Sequence, residues 1–400
     1  MKKLGILGLG KTGKAAYEYL KDTADTVVCW DDNMPNQSTS LDDDVWKSLD
    51  YIIASPGINL KGHKILELGI PIIGDIDVLY LHNPDSIFIG ITGTNGKSTT
   101  TALTSHISGF TACGNIGLPA LKAPKSKGYV LEISSFQLDL IKFFKPKIAA
   151  ILNISPDHLD RYGSMDNYIT SKLSIAKNMD KDGYLLLNLD DSILSTYVND
   201  FSHTNVCTFS LKNKTADFVY QDYESNLVGE HNKYNILASS AICKLLSAQQ
   251  IEEKLKTFKG LSHRMEFVGK TNGISFYNDS KATNKESSQV ALNALGNIFW
   301  LAGGRPKSGG IEGLDLSNVQ KAYFFGEARF AFGEYAKKLG KNYFIAETLD
   351  EALKCAIQDA KNGNILLSPA CSSFDQFQNF EDRGDYFKNL VIKYINDSRR

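Results

Sequence analysis

The sequence predicts an α/β protein of three domains, each built on a largely parallel sheet. Three observations lead there. Apolar strand-like runs alternate with helical patterns along most of the 400 residues, which is the signature of β-α-β crossovers. Two glycine-rich turns, Gly8–Gly13 and Gly93–Thr99, each follow an apolar run and open a helical pattern. A single Asn272-Gly273 pair between two alternating runs interrupts the alternation and marks a hairpin.

The elements follow in order. "KLGILGLGKTGKAAYEYL" reads as strand, turn and helix, and "TVVCWDD" as a second strand ending in two acids. "YIIASPGI" is a third strand closed by Pro-Gly, and "IPIIGDIDVLY" a fourth with a helix start. Asn83-Pro84-Asp85 ends this series, so the first domain is residues 1–83. "IFIGITGTNGKSTTTAL" opens the second series, which continues through the strands "GYVLEISS", "PKIAAILNIS" and "DGYLLLNLDD" and the helices "NYITSKLSIAKNM" and "GEHNKYNILASSAICKLL". The pattern changes near residue 261, giving domains 84–261 and 262–400. The last contains the hairpin and then "NIFWLAGG", "KAYFFG", "NYFIAE" and "NILLSP".

Composition narrows the context. The chain is 42% hydrophobic and 22% charged, with a formal net charge of -1. No global field attracts nucleic acid or an anionic membrane. The six cysteines are scattered without a C-x-x-C pair, as expected of reduced thiols in a cytoplasmic protein rather than of a disulfide frame or zinc site. "MKKLGILGLG" passes directly into a strand, so neither signal peptide nor membrane insertion is expected.

Several residues are chemical candidates. Gly8, Gly10 and Gly13 form G-x-G-x-x-G, with Asp31 about twenty residues on at the next strand end. Either the turn cradles a phosphate and the acid holds a ribose, or the glycines serve packing alone. A dinucleotide domain has two such halves, and residues 1–83 are short for that. In the second turn Gly93, Thr94, Asn95, Gly96, Lys97, Ser98 and Thr99 would aim helix N-terminal N–H groups at an anion. Lys97 would reach terminal phosphates and Ser98 a Mg²⁺ ion, although the first glycine of the general phosphate-loop pattern is absent. Glu132 ends an apolar strand beside this loop and suits a metal or its water shell. His158 stands beyond another strand end with Asp157, Asp160 and Arg161. Lys172 alone reads as an ordinary solvated helix lysine. "NDSKATN", "AGGRPKSGG" and "SPACSSFDQFQNFEDRGDYF" follow strands, where open α/β sheets bind ligands.

Taken in order, "GLGKTG", "SPGI", "GTNGKST", "GNIGLPAL", "LEISSFQL", "DHLDRY", "GEHNKYN", "HRMEFV", "NDSKATN", a Gly-Gly with Lys307, and "SPACSSFDQF" resemble the Mur ligases. These are the ATP-dependent amino-acid ligases of peptidoglycan synthesis, and the resemblance covers essentially the whole chain. "GTNGKST" is similar to this family's own phosphate loop, which accounts for the missing glycine. "SSFDQF" and "DHLDRY" look like the D-glutamate-adding branch, and the Asn-Pro-Arg motif of the diaminopimelate- or lysine-adding branches is absent.

The resemblance implies a Rossmann-like N-terminal domain for the UDP-sugar, a central P-loop ATPase-like domain, and a C-terminal Rossmann-like domain for the amino acid. It implies ligation of D-glutamate to UDP-N-acetylmuramoyl-L-alanine through an acyl-phosphate, by a cytoplasmic monomer. ATP would meet Gly93 to Thr99 with Asn232, Arg264 and Asp279. Two Mg²⁺ ions would be held, one by Ser98 and Glu132, the other by His158 and a carbamylated Lys172. The catalytic set would be Lys97, His158 and Lys172. Gly10, Lys11, Thr12, Asp31, Gly57 and Asn115 would bind the UDP-substrate, and Lys281, Thr283, Lys307, Ser373 and Phe380 D-glutamate. The chain departs from the family after strand two, with Asp31-Asp32-Asn33 in place of Asp-Thr-Arg and Lys11 in the glycine turn. A folylpolyglutamate synthase would share the central architecture without residues 1–83. An NAD-dependent oxidoreductase would use Gly8, Gly10, Gly13 and Asp31 and leave Lys97, Glu132 and His158 idle.

Overall fold

The computed structural model describes residues 2–306 and 310–398, and every count below refers to them. The chain is mixed α/β with three sheets. It forms two compact units: one runs to Asp222 and adds Lys233–Lys254, and the other combines Tyr223–Asn232 with the chain from Leu255 onwards.

In the first unit, β1 (Lys3–Leu7), β2 (Thr26–Trp30), β3 (Tyr51–Ala54) and β4 (Ile72–Ile73) form a parallel sheet in the order β2-β1-β3-β4. A second sheet contains β5 (Ile87–Thr92), β6 (Thr111–Gly114), β7 (Gly128–Glu132), β8 (Ile148–Ile151), β9 (Tyr184–Asn188), β10 (Asn205–Ser210) and β11 (Phe218–Val219). Its order is β11-β10-β9-β8-β5-β7-β6, parallel throughout. β7 and β8 are buried at every position and β5 at all but its first. Continuous apolar runs of this kind belong to central parallel strands covered on both faces. Ile91 pairs with Glu132 on one side and Ala150 on the other. The carboxyl ends of β7, β5 and β8 therefore lie side by side.

One apolar core runs from the first sheet into the second. Ala15, Ala16 and Leu20, on the helix Lys11–Leu20, belong to the same cluster as Ala120, Leu121, Tyr129 and Leu131. Asp77 fastens the junction. It is fully buried on the helix Asp75–His82, and its carboxylate accepts the backbone N–H groups of Lys142 (2.7 Å), Phe143 (3.0 Å) and Phe144 (2.7 Å). Burial raises its pKa, and these three donors oppose the rise.

The second unit holds β12 (Glu266–Thr271), β13 (Ile274–Asn278), β14 (Ile298–Gly303), β15 (Val319–Phe325), β16 (Tyr343–Ile345) and β17 (Gly363–Leu367), ordered β12-β13-β17-β14-β15-β16. β12 alone runs antiparallel, joined to β13 through Asn272-Gly273, both with positive φ (51° and 78°) as a primed hairpin turn requires. Asn278 and Leu301 both pair with Leu367, so the loops after β13, β14 and β17 converge. Among the described residues no helix is long and apolar enough to cross a membrane.

The short edge strand β6 and the outer strands β10 and β11 are additions to the strands expected from sequence. β10 ("NVCTFS") carries Thr208, whose hydroxyl and N–H both meet the Asp217 carboxylate; polar residues there obscure the apolar run.

Asp77→Ala should lower the unfolding free energy by about 2–4 kcal/mol, because three backbone N–H groups, one of them fully buried, lose a charged acceptor. Asp42→Ala, which removes the exposed Lys64–Asp42 pair, should cost under about 1 kcal/mol. Urea denaturation of both variants checks the contrast, and equal losses would count against the clamp.

Candidate active site

The site begins where β5 ends. Gly93 (φ 152°) and Gly96 (φ 82°) turn the chain into the helix Lys97–Ser108. A side chain at Gly96 would meet the Asn235 amide oxygen at 2.3 Å, so space as well as φ demands glycine there. The loop after β8 braces the turn. Asn153 accepts from Thr94 N–H through its carbonyl (2.9 Å) and from Asn95 N–H through its side-chain oxygen (2.8 Å). Ser155 N–H donates to the Thr94 hydroxyl at 3.0 Å. The first helical N–H groups, which include those of Ser98 and Thr99, have no partner within the helix and favour an anion.

Two lysines converge on the loop. Lys97 Nζ donates to the carbonyls of Gly93 and Thr94, both at 2.8 Å. Lys172 Nζ donates to the same Gly93 carbonyl at 2.9 Å and lies 4.6 Å from the Tyr168 ring centroid. Lys172 is 1% exposed. Burial, then the neighbouring Lys97 charge, pushes its amine down to about 7. The solvated-lysine expectation for Lys172 is thus replaced by a buried amine near neutrality.

Glu132 is buried at the end of β7. One carboxylate oxygen accepts from the Asn115 amide at 2.7 Å, and the other is buried without a hydrogen-bond partner. A hard cation would satisfy that orphaned oxygen. Among the described residues no three His, Cys, Asp or Glu side chains converge as a metal cluster. His158 has a left-handed backbone (φ 51°) at the start of the helix Leu159–Tyr162. Its ring packs 4.8 Å from Phe136 and 6.5 Å from Tyr168.

A cavity of about 440 Å³ gathers these groups. Lys97, Lys172, His158, Asn115, Thr12 and Gly57 line it, with Pro56, Ser134, Ser135, Phe136, Asp157 and Tyr168. Asp157 is expected beside His158 from the sequence; the other five carry no expected role, although "SPGI" and "LEISSFQL" contain four of them. Gly10 and Lys11 lie in the adjoining turn. There Gly8 has φ 88°, and a side chain at Gly13 would meet the Gly8 carbonyl at 1.8 Å, whereas one at Gly10 would meet nothing within 4 Å. Packing therefore demands Gly8 and Gly13, while Gly10 leaves its backbone bare for a ligand. The Asp31 carboxylate receives Leu9 N–H (2.5 Å) and Asn33 N–H (2.8 Å), so it braces the turn.

The second unit contains the remaining candidates. Asn232 is buried near the start of the helix Glu230–Leu245 and donates to Val228 O at 2.7 Å. Arg264 is exposed in the loop before β12. Asp279 is buried, accepting from Ser368 Oγ (2.8 Å) and Met265 N–H (3.1 Å), and burial pushes its carboxyl up to about 7. Lys281 Nζ sits 5.6 Å over the Phe380 ring. Thr283 is half-buried and Ser373 buried. Lys307 lies outside the described residues. Arg383, which the sequence reading passed over, is wholly buried and ties three loops together. It donates to Ser280 O (3.0 Å), Cys371 O (3.1 Å), Ser372 O (3.3 Å) and Gly303 O (3.4 Å).

A glycine-rich turn between strand and helix in an all-parallel sheet, with two lysine amines hydrogen-bonded to its Gly93 carbonyl, has the architecture of the phosphate-binding α/β proteins. The Mur ligase middle domain matches residues 91–243, and the Mur ligase glutamate ligase domain residues 263–371. The UDP-N-acetylmuramoylalanine–D-glutamate ligase of Rickettsia prowazekii (strain Madrid E) is 44% identical, covering 98% of each chain. That of Caldicellulosiruptor bescii is 36% identical, again covering 98% of each. Among solved structures, the UDP-N-acetylmuramate–alanine ligase MurC of Thermotoga maritima shares the fold. Its TM-score is 0.60 at 18% identity, over 99% of this chain and 100% of that one. The MurF ligase of Thermotoga maritima, solved with ADP, has a TM-score of 0.57 at 16% identity, over 98% and 96%. The chain belongs to the Mur ligase family.

The buried Lys172 makes stability depend on pH. Below about 7 the folded state carries its charge and the full burial penalty; from there to 10.5 the unfolded chain binds more protons, so stability rises with pH. In metal-free buffer stripped of CO₂, Lys172→Met should remove this rise. The wild-type-minus-variant difference should change by up to about 1.4 kcal/mol per pH unit across that window. A flat difference in denaturation midpoints between pH 7 and 10 would indicate an amine of ordinary basicity.

Proposed function

We propose that this protein is an ATP-dependent ligase that joins D-glutamate to UDP-N-acetylmuramoyl-L-alanine in peptidoglycan precursor synthesis. The observation that carries this reading is full-length similarity, at 44% identity, to a ligase of that name. In the corresponding partition, residues 1–83 hold the UDP-substrate, 84–261 ATP, and 262–400 D-glutamate, in a cytoplasmic monomer.

The alanyl carboxylate attacks the γ-phosphorus of ATP, and ADP leaves as the acyl-phosphate forms. The amine of D-glutamate then attacks the acyl carbon and loses a proton. The tetrahedral intermediate expels phosphate, leaving an amide. All reactants of the first step are anions, so positioning and charge neutralisation carry the catalysis. Lys97 exchanges its loop carbonyls for the terminal phosphates. The loop N–H groups hold the β-phosphate, and Asn232, Arg264 and Asp279 the rest of the nucleotide. Thr12, Gly57 and Asn115 orient the UDP-substrate, with the diphosphate against Gly10 and Lys11 in the turn that Asp31 braces. Lys281, Thr283, Lys307, Ser373 and Phe380 receive D-glutamate. Mg²⁺, when bound through Ser98 and the orphaned oxygen of Glu132, supplies further charge neutralisation. An amine near neutrality at Lys172 is able to take up CO₂ and become an anion, which with His158 suits a second Mg²⁺.

Phosphate release should require the UDP-substrate, ATP, Mg²⁺ and D-glutamate together, measured against a panel of D- and L-amino acids. Equal turnover with L-lysine or diaminopimelate would sink the assignment.

The carbamate at Lys172 has its own test. Lys172→Ala should fold but lose most activity, and acetate or formate should restore part of it. Intact-mass spectra of active wild type showing no gain of CO₂, or a fully active Lys172→Ala, would refute it.

A further inference from the structure

Arg161 belongs to neither the phosphate loop nor the metal candidates, yet it touches two walls of the cavity at once. Its Nη1 donates to the Pro56 carbonyl at 3.1 Å. Its guanidinium carbon lies 3.9 Å from the Phe136 ring centroid, and Phe136 in turn packs 4.8 Å from His158. Pro56, Gly57, Phe136 and His158 all line the cavity.

The two contacts use different parts of one planar group. The face stacks on Phe136 while an edge N–H reaches Pro56, which a lysine cannot do with one point charge. The Pro56–Gly57 loop is closed by Ile58 N–H to the Ser55 carbonyl (3.0 Å) and tied to the first glycine turn by Ser55 Oγ to the Gly8 carbonyl (2.8 Å), and Arg161 adds its link to Phe136. A side chain at Gly57 would meet nothing within 4 Å, so the loop is open towards the cavity at that position. The His158 ring is half exposed, and its polar contact is Asp157 at 3.5 Å. Its orientation therefore depends on the rings beside it.

We infer that Arg161 is a positioning residue for the UDP-sugar substrate. It tethers the Pro56–Gly57 loop to Phe136 and so sets the spacing between the substrate loop and His158. This rests on the proposed ligase reading, in which the first sheet receives that substrate and the loop after β5 receives ATP. The tether acts on the first of these and leaves Lys97 and its loop untouched. Its loss consequently separates the KM of the UDP-substrate from that of ATP.

The test uses the full-length chain as wild type, Arg161→Met and Arg161→Lys. Arg161→Met keeps an unbranched apolar stem but loses the charge and the fork. It should raise the KM for UDP-N-acetylmuramoyl-L-alanine about tenfold, with the KM for ATP within about twofold and Tm nearly unchanged. Arg161→Lys should fall between the two. Calorimetric titration with the same UDP-substrate alone should show the weakening without turnover. An unchanged KM and affinity in Arg161→Met, an equal rise for ATP, or a loss that tracks a fallen Tm overturns the inference. A wild type that binds the UDP-substrate without ligating overturns the ligase reading instead, and the titration still decides the tether. A wild type that does not bind it overturns both.

Discussion

The carbonyl of Gly93 accepts hydrogen bonds from two lysines, Lys97 at 2.8 Å and Lys172 at 2.9 Å, and the rest of the site is arranged around that convergence. Two ammonium groups sharing one acceptor in a buried place repel each other. Burial, with this repulsion added, brings the Lys172 amine down to about 7. The arrangement exists because Gly93 adopts φ 152° just after β5, a strand buried at all but its first residue, and its carbonyl accepts both amines. An anion placed at the helix N-terminus relieves the same repulsion, so the site is biased towards phosphate before any ligand arrives.

This bias is useful only if the loop is held still and the reacting partner comes close. Asn153 and Ser155 provide the first, fixing the loop from the neighbouring strand end. The continuous core between the first two sheets provides the second. Helix Lys11–Leu20 packs its alanines into the cluster that includes Leu121 and Tyr129, and Asp77 fastens the junction with three charge-assisted hydrogen bonds. Thr12 and Gly57, carried by the first sheet, therefore line the same cavity as Lys97 and His158, carried by the second.

Much of this was legible in the chain because short-range rules wrote it. The glycine turns, the strand-then-helix order and the Asn272-Gly273 hairpin depend on backbone φ and on side chains within a few residues. The loop "GTNGKST" needed only its strand and helix as context. Edge elements were less legible: β6, β10 and β11 are short or polar-rimmed, since they are covered less completely than β5, β7 and β8. Arg383 was invisible for a different reason. An arginine on the helix Phe380–Asp397 reads as solvated, and only the convergence of the loops after β13, β14 and β17 supplies the carbonyls that make its burial tolerable.

The sequence by itself determined the parallel α/β class and the glycine-rich turn between β5 and its helix, because local backbone geometry and apolar periodicity specify both without reference to distant parts of the chain. Tertiary structure decided which of those residues are chemically unusual. Lys172 is an ordinary helix lysine in sequence and a buried, weakly basic amine in the fold. Glu132 is a strand-end acid in sequence and an orphaned buried oxygen in the fold. Asp31 could hold a ribose in sequence and braces its own turn in the fold. Each difference has the same cause: basicity and hydrogen-bonding capacity depend on desolvation and on neighbours brought in from far along the chain, and those neighbours are in place only once the sheets have packed.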